Sequence, residues 1–268
     1  MIALRRAACV LLAAASLLAS PAYSTSFSTD QSDLYYIPAE SGWGIQLVQR
    51  GSVIFATVFV YGPGNTPTWY VATMQFAGNF TWTGDLYATT GPYFGTIPFN
   101  PAIVVATKVG TMTWDGSQSV ESGVLSYTVN AVAVTKHVTR QSLVFDNYAG
   151  RYGGGIHQDS TGCLNPALNG TIENIGILNV TQNGAAITLQ SFPVTGGSCS
   201  YAGTLTQFGQ MGHVEGSYTC SDGGGGFFAI FEMQVNIVGL TGRFGANSFS
   251  APGCQITGWF GGLIVTTF

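Results

Sequence analysis

Charged side chains are scarce in this sequence. Asp, Glu, Lys and Arg together make up 7% of the 268 residues, far below the quarter that is usual for globular proteins. The formal net charge is −4 at pH 7 and there is no basic cluster, whereas affinity for a phosphate backbone comes from several Lys or Arg contacts. The composition therefore predicts an uncharged polar surface and argues against nucleic acid as a partner.

The motifs of the common enzyme and metal-site classes are also missing. The sequence has no Gly-x-Ser-x-Gly, no His-Glu-x-x-His and no Cys-x-x-Cys, which are the patterns of hydrolase elbows and zinc sites. The glycine run 223–226 lacks the Lys of a phosphate loop and predicts a flexible rim loop. His157 and Asp159 lie at the end of a predicted strand beside Cys163 and are interpreted as loop residues rather than metal ligands. We therefore predict no catalytic residue, no cofactor and no metal site.

Helical periodicity is absent as well. No segment keeps a helical period over about 10 residues, and strand-length runs recur roughly every 8 to 12 residues between Gly, Asn, Asp or Pro. These patterns predict an all-β protein with two antiparallel up-and-down domains. Seven strand candidates fall in the first domain and predict a β-meander. Eight fall in the second, enough to close a barrel resembling small lipocalin-like or avidin-like barrels at the level of fold.

The N-terminal segment has the features of a secretory signal. Arg5 and Arg6 precede a short apolar run, which is followed by small residues; a membrane span would need about 20 apolar residues. We predict a signal peptide over 1–24, a β-meander domain over 25–145 and an eight-stranded barrel over 146–268. The protein is then secreted or periplasmic, with no stable membrane span.

A set of ordered motifs carries a family resemblance. ESGWG (40–44) is followed by FATVF (55–59), TWYV (68–71), TTGP (89–92) and KHVTRQ (136–141). The chain resembles a family of secreted bacterial all-β proteins that has this pattern over roughly residues 35–145. The resemblance implies a fold and a compartment. It implies no catalytic residues, because the family has no assigned chemistry.

Four of the five cysteines lie beyond the signal segment, all in the second domain. Walking eight strands alternately up and down places Cys163, Cys199, Cys220 and Cys254 at one rim of the barrel. Hairpin pairing favours the disulfide Cys199–Cys220, and barrel closure favours Cys163–Cys254. Four cysteines permit three connectivities, so the other two stay open.

Aromatic side chains supply the available recognition chemistry. They make up 13% of the chain, against 7% charged residues, which favours stacking and apolar contact with a small apolar molecule or a glycan. Barrels usually hold such ligands in the interior or at the mouth. The candidate ligand-binding residues are Trp43, Trp69, Tyr70, Tyr152, Tyr218 and Phe231. The alternative is that the tryptophans form barrel core, and we expect the second barrel to be filled.

Two other functions compete with a non-catalytic binding protein. Strand registry is expected to bring Glu215 near Glu232, with His213 and Arg243 close by, and such a carboxylate pair could serve a glycan-active hydrolase. A solvated outer face accounts for the same residues, because the alternate positions are more apolar. High β-content and the terminal Phe268 also suggest an outer-membrane β-barrel, which the cysteines and the lack of a continuous outward apolar band disfavour.

Overall fold

The computed structural model describes residues 30–265 and places their strands in two closed antiparallel barrels of eight strands each. Sequential strands are neighbours throughout, and the last strand of each barrel pairs with its first. The predicted all-β class with two up-and-down domains is therefore confirmed. The predicted signal peptide, residues 1–24, lies outside the described residues.

The first barrel has one strand more than the sequence predicts. Its strands are β1 Asp33–Tyr36, β2 Gly44–Arg50, β3 Val53–Tyr61, β4 Pro67–Gly78, β5 Thr81–Thr90, β6 Val105–Asp115, β7 Ser122–Val129 and β8 Val132–Arg140. The additional strand, β1, has four residues, too few for an alternating pattern to be recognised. It pairs Tyr35 with Ile45 of β2 and with Arg140 of β8. These pairs close the meander into a barrel.

A two-residue turn connects β7 and β8 tightly. Between β7 and β8, Asn130 and Ala131 have φ values of 45° and 71°, and Val129 pairs directly with Val132. Positive φ at both central residues is the mark of a type I′ hairpin, whose twist matches that of the flanking strands. Asn130 suits the first position because asparagine tolerates the left-handed region.

Large side chains fill the interior of the first barrel. Trp82 and Trp114 are completely buried and belong to one core cluster with Met74 and Met112. Trp114 packs edge-on against Tyr35 at 4.6 Å between ring centroids. Its indole Nε1 also donates a hydrogen bond of 3.0 Å to Gln31 Oε1, so the polar edge of the ring is satisfied. For these two tryptophans, the interpretation as barrel core is correct.

The second barrel has the eight strands that the sequence predicts. They are β9 Gly150–Thr161, β10 Gly170–Asn183, β11 Ala186–Pro193, β12 Cys199–Phe208, β13 Met211–Cys220, β14 Gly225–Val235, β15 Gly239–Ala246 and β16 Gln255–Ile264. A ten-residue pairing between β16 and β9 closes it, from Gln255 opposite Thr161 to Ile264 opposite Tyr152.

A β-bulge in β14 interrupts the in–out alternation. Ile230 and Met233 are both buried although they are three residues apart. Their partners on β13, Val214 and Gly212, are only two residues apart. The additional residue places Phe231 on the outer face, where 41% of it is exposed. The sequence-based placement of Phe231 in the interior is therefore wrong, because strict alternation does not anticipate a bulge.

One end of the second barrel is closed by the segment that enters it. Tyr148 precedes β9, is completely buried, and donates its hydroxyl to the carbonyl oxygen of Met233 at 3.4 Å. This end faces the first barrel, because Gln210 in the β12–β13 turn donates its backbone N–H to Asp33 of β1. The disulfides lie at the other end.

A buried ion pair anchors the contact between the barrels. Arg140 Nη1 lies 3.0 Å from Asp33 Oδ2, and the Arg140 side chain is fully buried. The same carboxylate oxygen accepts a hydrogen bond of 3.0 Å from the backbone N–H of Gln210 in the second barrel. Gln210 Nε2 also donates to the carbonyl oxygen of Ser32 at 2.6 Å. The short segment 141–149 is therefore supplemented by direct bonds between the two barrels.

Candidate functional site

Two disulfides hold the open end of the second barrel. Cys163, just after β9, is bonded to Cys254, just before β16. Cys199 and Cys220 are direct cross-strand partners on β12 and β13 and are bonded to each other. The preferred sequence-based pairing is confirmed. The first bridge joins the two strands whose pairing closes the barrel, and the second joins the ends of a hairpin.

Behind this rim lies a cavity of about 220 Å³, which we call the barrel cavity. Its wall is mainly apolar and includes Leu178, Leu189, Tyr201, Phe228, Phe244 and Phe260. Cys199 also lines it, so the cavity reaches the disulfide end. The expectation that the second barrel is filled is therefore wrong.

Glycines occupy inward positions along the wall of the barrel cavity. Gly154, Gly176 and Gly262 lie on β9, β10 and β16 and line the barrel cavity. At each of these positions an alternating strand would otherwise aim a side chain into the interior. A side chain at Gly154 or Gly176 would also collide with the backbone of the neighbouring strand, so these glycines let the strands approach closely.

Polar groups of the barrel cavity are neutral. None of its lining residues, all within the described part of the chain, carries a charge; Gln158, Asn174 and Ser191 supply the polar atoms on the disulfide side. Burial raises the pKa of the Tyr201 hydroxyl, and its proximity to Tyr218 adds to the effect. Tyr201 therefore keeps its proton at neutral pH. The cavity favours an uncharged ligand, because an ion would lose its hydration without a counter-charge.

Besides Phe231, the second barrel contains two predicted ligand-binding residues, Tyr152 and Tyr218, and both lie on its inner side. Tyr152 is 2% exposed, lines the barrel cavity, and donates its hydroxyl to the carbonyl oxygen of Tyr148 at 2.9 Å. Tyr218 stacks on Tyr201 with 5.3 Å between ring centroids and donates its hydroxyl to the carbonyl oxygen of Asn247 at 2.9 Å. Both side chains are thus held in fixed orientations, Tyr152 at the wall of the cavity and Tyr218 behind Tyr201.

The three candidates of the first barrel do not converge on one site. Trp43 and Tyr70 pack against the filled core, and the Trp43 indole donates to Glu40 Oε2 at 3.1 Å. Trp69 is 49% exposed on the outer face. The prediction of an interior position for Trp69 is wrong, because neighbours in a strand face opposite sides and Tyr70 faces inward.

The carboxylates of the hydrolase hypothesis have different partners. Glu215 lies opposite Ala229, three residues along β14 from Glu232, or about 10 Å at the usual rise per residue. His213 Nε2 contacts Glu215 Oε1 at 3.2 Å, whereas Arg243 Nη1 contacts Glu232 Oε1 at 3.1 Å. The expected Glu215–Glu232 pairing is wrong. The predicted outer-face location of Glu215 agrees with its 75% exposed side chain.

A second concave region lies on the outer wall of the same barrel. It has a volume of about 480 Å³ and is lined by Trp259, His157, Glu173, Ile175, Val194 and Thr195, with Gly155 on its floor; we call it the outer groove. His157 and Asp159 lie within β9, which continues to Thr161. The strand therefore continues past its predicted end, and the interpretation of these two residues as loop residues is wrong. Cross-strand register could have revealed the site, because His157 pairs with both Trp259 and Glu173.

His157 is held between two carboxylates. Its Nδ1 lies 3.1 Å from Glu173 Oε1, and its Nε2 lies 3.2 Å from Asp159 Oδ2. The hydrogen bond with Glu173 raises the pKa of His157 most, partial desolvation opposes it, and Asp159 adds to the increase. The carboxylates bind opposite ring nitrogens and do not converge. Among the described residues, no group of three or more His, Cys, Asp or Glu side chains could hold a metal ion.

No protein-family model matches the chain, and no curated protein is significantly similar to it. The resemblance to the secreted family with the ESGWG pattern thus stays a prediction. Within residues 30–265, no helix is long and apolar enough to cross a membrane.

Proposed function

We propose that the protein is a secreted or periplasmic, non-catalytic binding protein whose second barrel holds a small apolar ligand. The barrel cavity carries this proposal: about 220 Å³ of uncharged, mainly apolar space behind a disulfide-bonded rim. The two disulfides fit an extracellular or periplasmic location, because such bonds persist in oxidising compartments.

The cavity volume limits the size of the ligand. A dry protein cavity of about 150 Å³ accepts benzene, and pockets for drug-sized molecules begin near 300 Å³. At about 220 Å³, the barrel cavity suits a single substituted ring or a short acyl chain. A ligand of about ten heavy atoms, each contributing roughly −0.6 kcal/mol, would bind with a Kd of tens of micromolar.

Indole and octanoate methyl ester are suitable probes, because both are neutral and of the required size. We expect at least one to shift NMR signals of Leu178 and Leu189, which lie on the cavity wall. Ser191→Phe places a ring in the cavity and should abolish binding. Its neighbour Gln190 faces outward and is exposed, so Gln190→Phe is the matched control and should bind normally.

Two results would contradict this proposal. One is the absence of any shift with both probes at 1 mM, about 25-fold above the expected Kd. The other is normal binding by a folded Ser191→Phe variant, since the ligand would then lie elsewhere. Circular dichroism of both Phe variants checks that the barrel has formed.

The hydrolase and the outer-membrane barrel remain hypotheses without a supporting observation of their own. Glu215 and Glu232 bind different partners on the outer face. On the first barrel, the exposed Phe55 lies across from the polar Thr73 on β4 as well as the apolar Val48 on β2.

A further inference from the structure

The outer groove contains an aromatic platform that the barrel core does not require. The Trp259 side chain is on the outer face and 54% exposed. Its ring stacks on His157 with 3.9 Å between centroids and 12° between planes. The His157 side chain is only 20% exposed, so it supports the Trp259 ring from beneath. Exposed aromatic surface carries a cost in water, so a half-exposed indole held in a stack indicates a recognition surface.

Neighbouring strands hold this stack in place. His157 on β9 pairs in register with Trp259 on β16 and with Glu173 on β10. The ring nitrogens of His157 contact Glu173 and Asp159. Asp159 Oδ1 in turn accepts a hydrogen bond of 2.5 Å from the Thr171 hydroxyl. Because the orientation of the rings is set before any ligand arrives, binding would need little ordering of side chains.

A shelf without side chains lies beside the stack. Gly155, two residues before His157, lines the outer groove and pairs with Gly261 of β16. On the far side, Ile175 pairs with Gly155 and is 66% exposed. The groove thus has a glycine floor between an aromatic wall and an aliphatic wall, and a single six-membered ring could lie there.

Hydrogen-bonding groups border the same shelf. The Glu173 side chain is 77% exposed, and Thr195 and Asn174 line the groove beside it, with Thr195 Oγ1 3.4 Å from Asn174 Oδ1. No lysine or arginine is among the lining residues that the structure describes. His157 already contacts two carboxylates, Glu173 and Asp159, so an anionic ligand would meet an excess of negative charge, whereas hydroxyl groups would find acceptors.

We propose that the outer groove binds a pyranose ring of a neutral oligosaccharide. A pyranose has C–H faces that pack on aromatic and aliphatic walls, and a rim of hydroxyls that can donate to Glu173 and Thr195. The outer groove adjoins the barrel cavity and shares four lining residues with it, Gly155, Ile156, Asn174 and Ile175. Trp259, His157, Glu173 and Thr195 line only the groove, so it offers a different set of contacts and takes a second class of ligand. A purely apolar ligand fits less well, because it would desolvate the Glu173 carboxylate without replacing its hydrogen bonds.

Cellohexaose, maltohexaose and chitohexaose test the proposal, because they present β-linked glucose, α-linked glucose and β-linked N-acetylglucosamine. NMR titration follows the indole N–H signals, with the Trp259 signal assigned from Trp259→Phe. We expect at least one sugar to shift that signal with a Kd of about 1 mM or lower. Trp259→Ala should weaken binding at least tenfold, and Trp259→Phe less than about threefold.

Trp69→Ala is the matched control, because Trp69 is similarly exposed at 49% but lies on the first barrel; it should change the Kd less than twofold. Glu173→Gln keeps the length of the side chain and should weaken binding about fivefold. The proposal is overturned if no sugar shifts the Trp259 signal at 10 mM, or if Trp259→Ala binds like the wild type. Loss of sugar binding in a folded Ser191→Phe variant would also overturn it, by moving the sugar into the barrel cavity.

Discussion

The two barrels have the same number of strands and the same strand order, but they fill their interiors differently. In the first, Trp82 and Trp114 occupy the centre and are completely buried. In the second, Gly154, Gly176 and Gly262 line a cavity of about 220 Å³. An eight-stranded barrel is just wide enough for side chains to fill or for one small ligand to fit. The side-chain volume at inward positions decides between the two outcomes.

The two barrels also differ in their disulfide bonds. Both lie in the second barrel, which has less apolar packing at its open end, and all four cysteines beyond Cys9 belong to it. Each bridge in a secreted domain usually contributes about 2–4 kcal/mol. We infer that the hollow barrel relies on covalent links where the filled barrel relies on packing. The following variants test this difference.

The largest effect is expected from emptying the first barrel. Trp114→Ala removes a fully buried indole and leaves Gln31 Oε1 without its donor, so unfolding free energy should fall by about 3–5 kcal/mol. Urea unfolding followed by the Trp82 indole signal measures it. Trp69→Ala, on the outer face, should cost less than about 1 kcal/mol. Equal losses in the two variants would contradict a packed first barrel.

Reducing the disulfides should affect the second barrel alone, by about 2–4 kcal/mol for each bridge. The bond Cys163–Cys254 closes a separation of 91 residues, against 21 for Cys199–Cys220, so chain entropy predicts that its loss costs about 1 kcal/mol more. Urea unfolding with and without dithiothreitol, followed by NMR, reports each barrel separately through Trp82 and Trp259. If both signals shift equally on reduction, the Arg140–Asp33–Gln210 contact makes the barrels unfold as one unit.

Enlarging one core leucine in each barrel compares their packing directly. Leu125 of the first barrel and Leu189 of the second are 0% and 3% exposed. Leu125→Phe should destabilise by about 1–3 kcal/mol, because overpacking forces neighbouring side chains to move. Leu189→Phe can extend into the barrel cavity and should cost less than about 1 kcal/mol. Chemical denaturation measures the free energy of unfolding of both variants. A larger loss for Leu189→Phe than for Leu125→Phe would mean that the wall of the barrel cavity is more rigid than the core of the first barrel.

Strand patterns predicted the architecture well, because eight alternating runs and one rim of cysteines leave few ways to close the second barrel. The errors have local causes. The bulge at Phe231 shifts the faces of β14, and β1 is too short to show a period. The cavity depends on how summed side-chain volumes fill a closed space. The outer groove depends on register across three strands, which no single segment of sequence contains.

The smallest effect concerns pH, and again it should separate the barrels. Hydrogen bonding to Glu173 raises the pKa of His157 above its ordinary value of 6.5, so the stabilisation by protonated His157 is complete below about pH 6.5 and is lost as pH rises through the folded-state pKa. Hydrogen bonds from Thr171 and His157 lower the pKa of Asp159. Its contribution is therefore present above about pH 4 and is lost in acid.

In the first barrel, the charged groups whose pKa values are shifted titrate below pH 5.5 or above pH 8.5. Bonding to Lys136 lowers the pKa of Glu40, and bonding to Asp85 raises the pKa of Lys108 above 10.5. Between pH 5.5 and pH 8.5, the stability of the second barrel should therefore decline slightly while the ion pairs of the first stay charged. Urea unfolding at both pH values, followed through Trp82 and Trp259, measures this difference, and His157→Gln should remove it. The same decline in His157→Gln would show that another group controls the pH dependence, and that His157 matters for the geometry of the outer groove rather than for its stability.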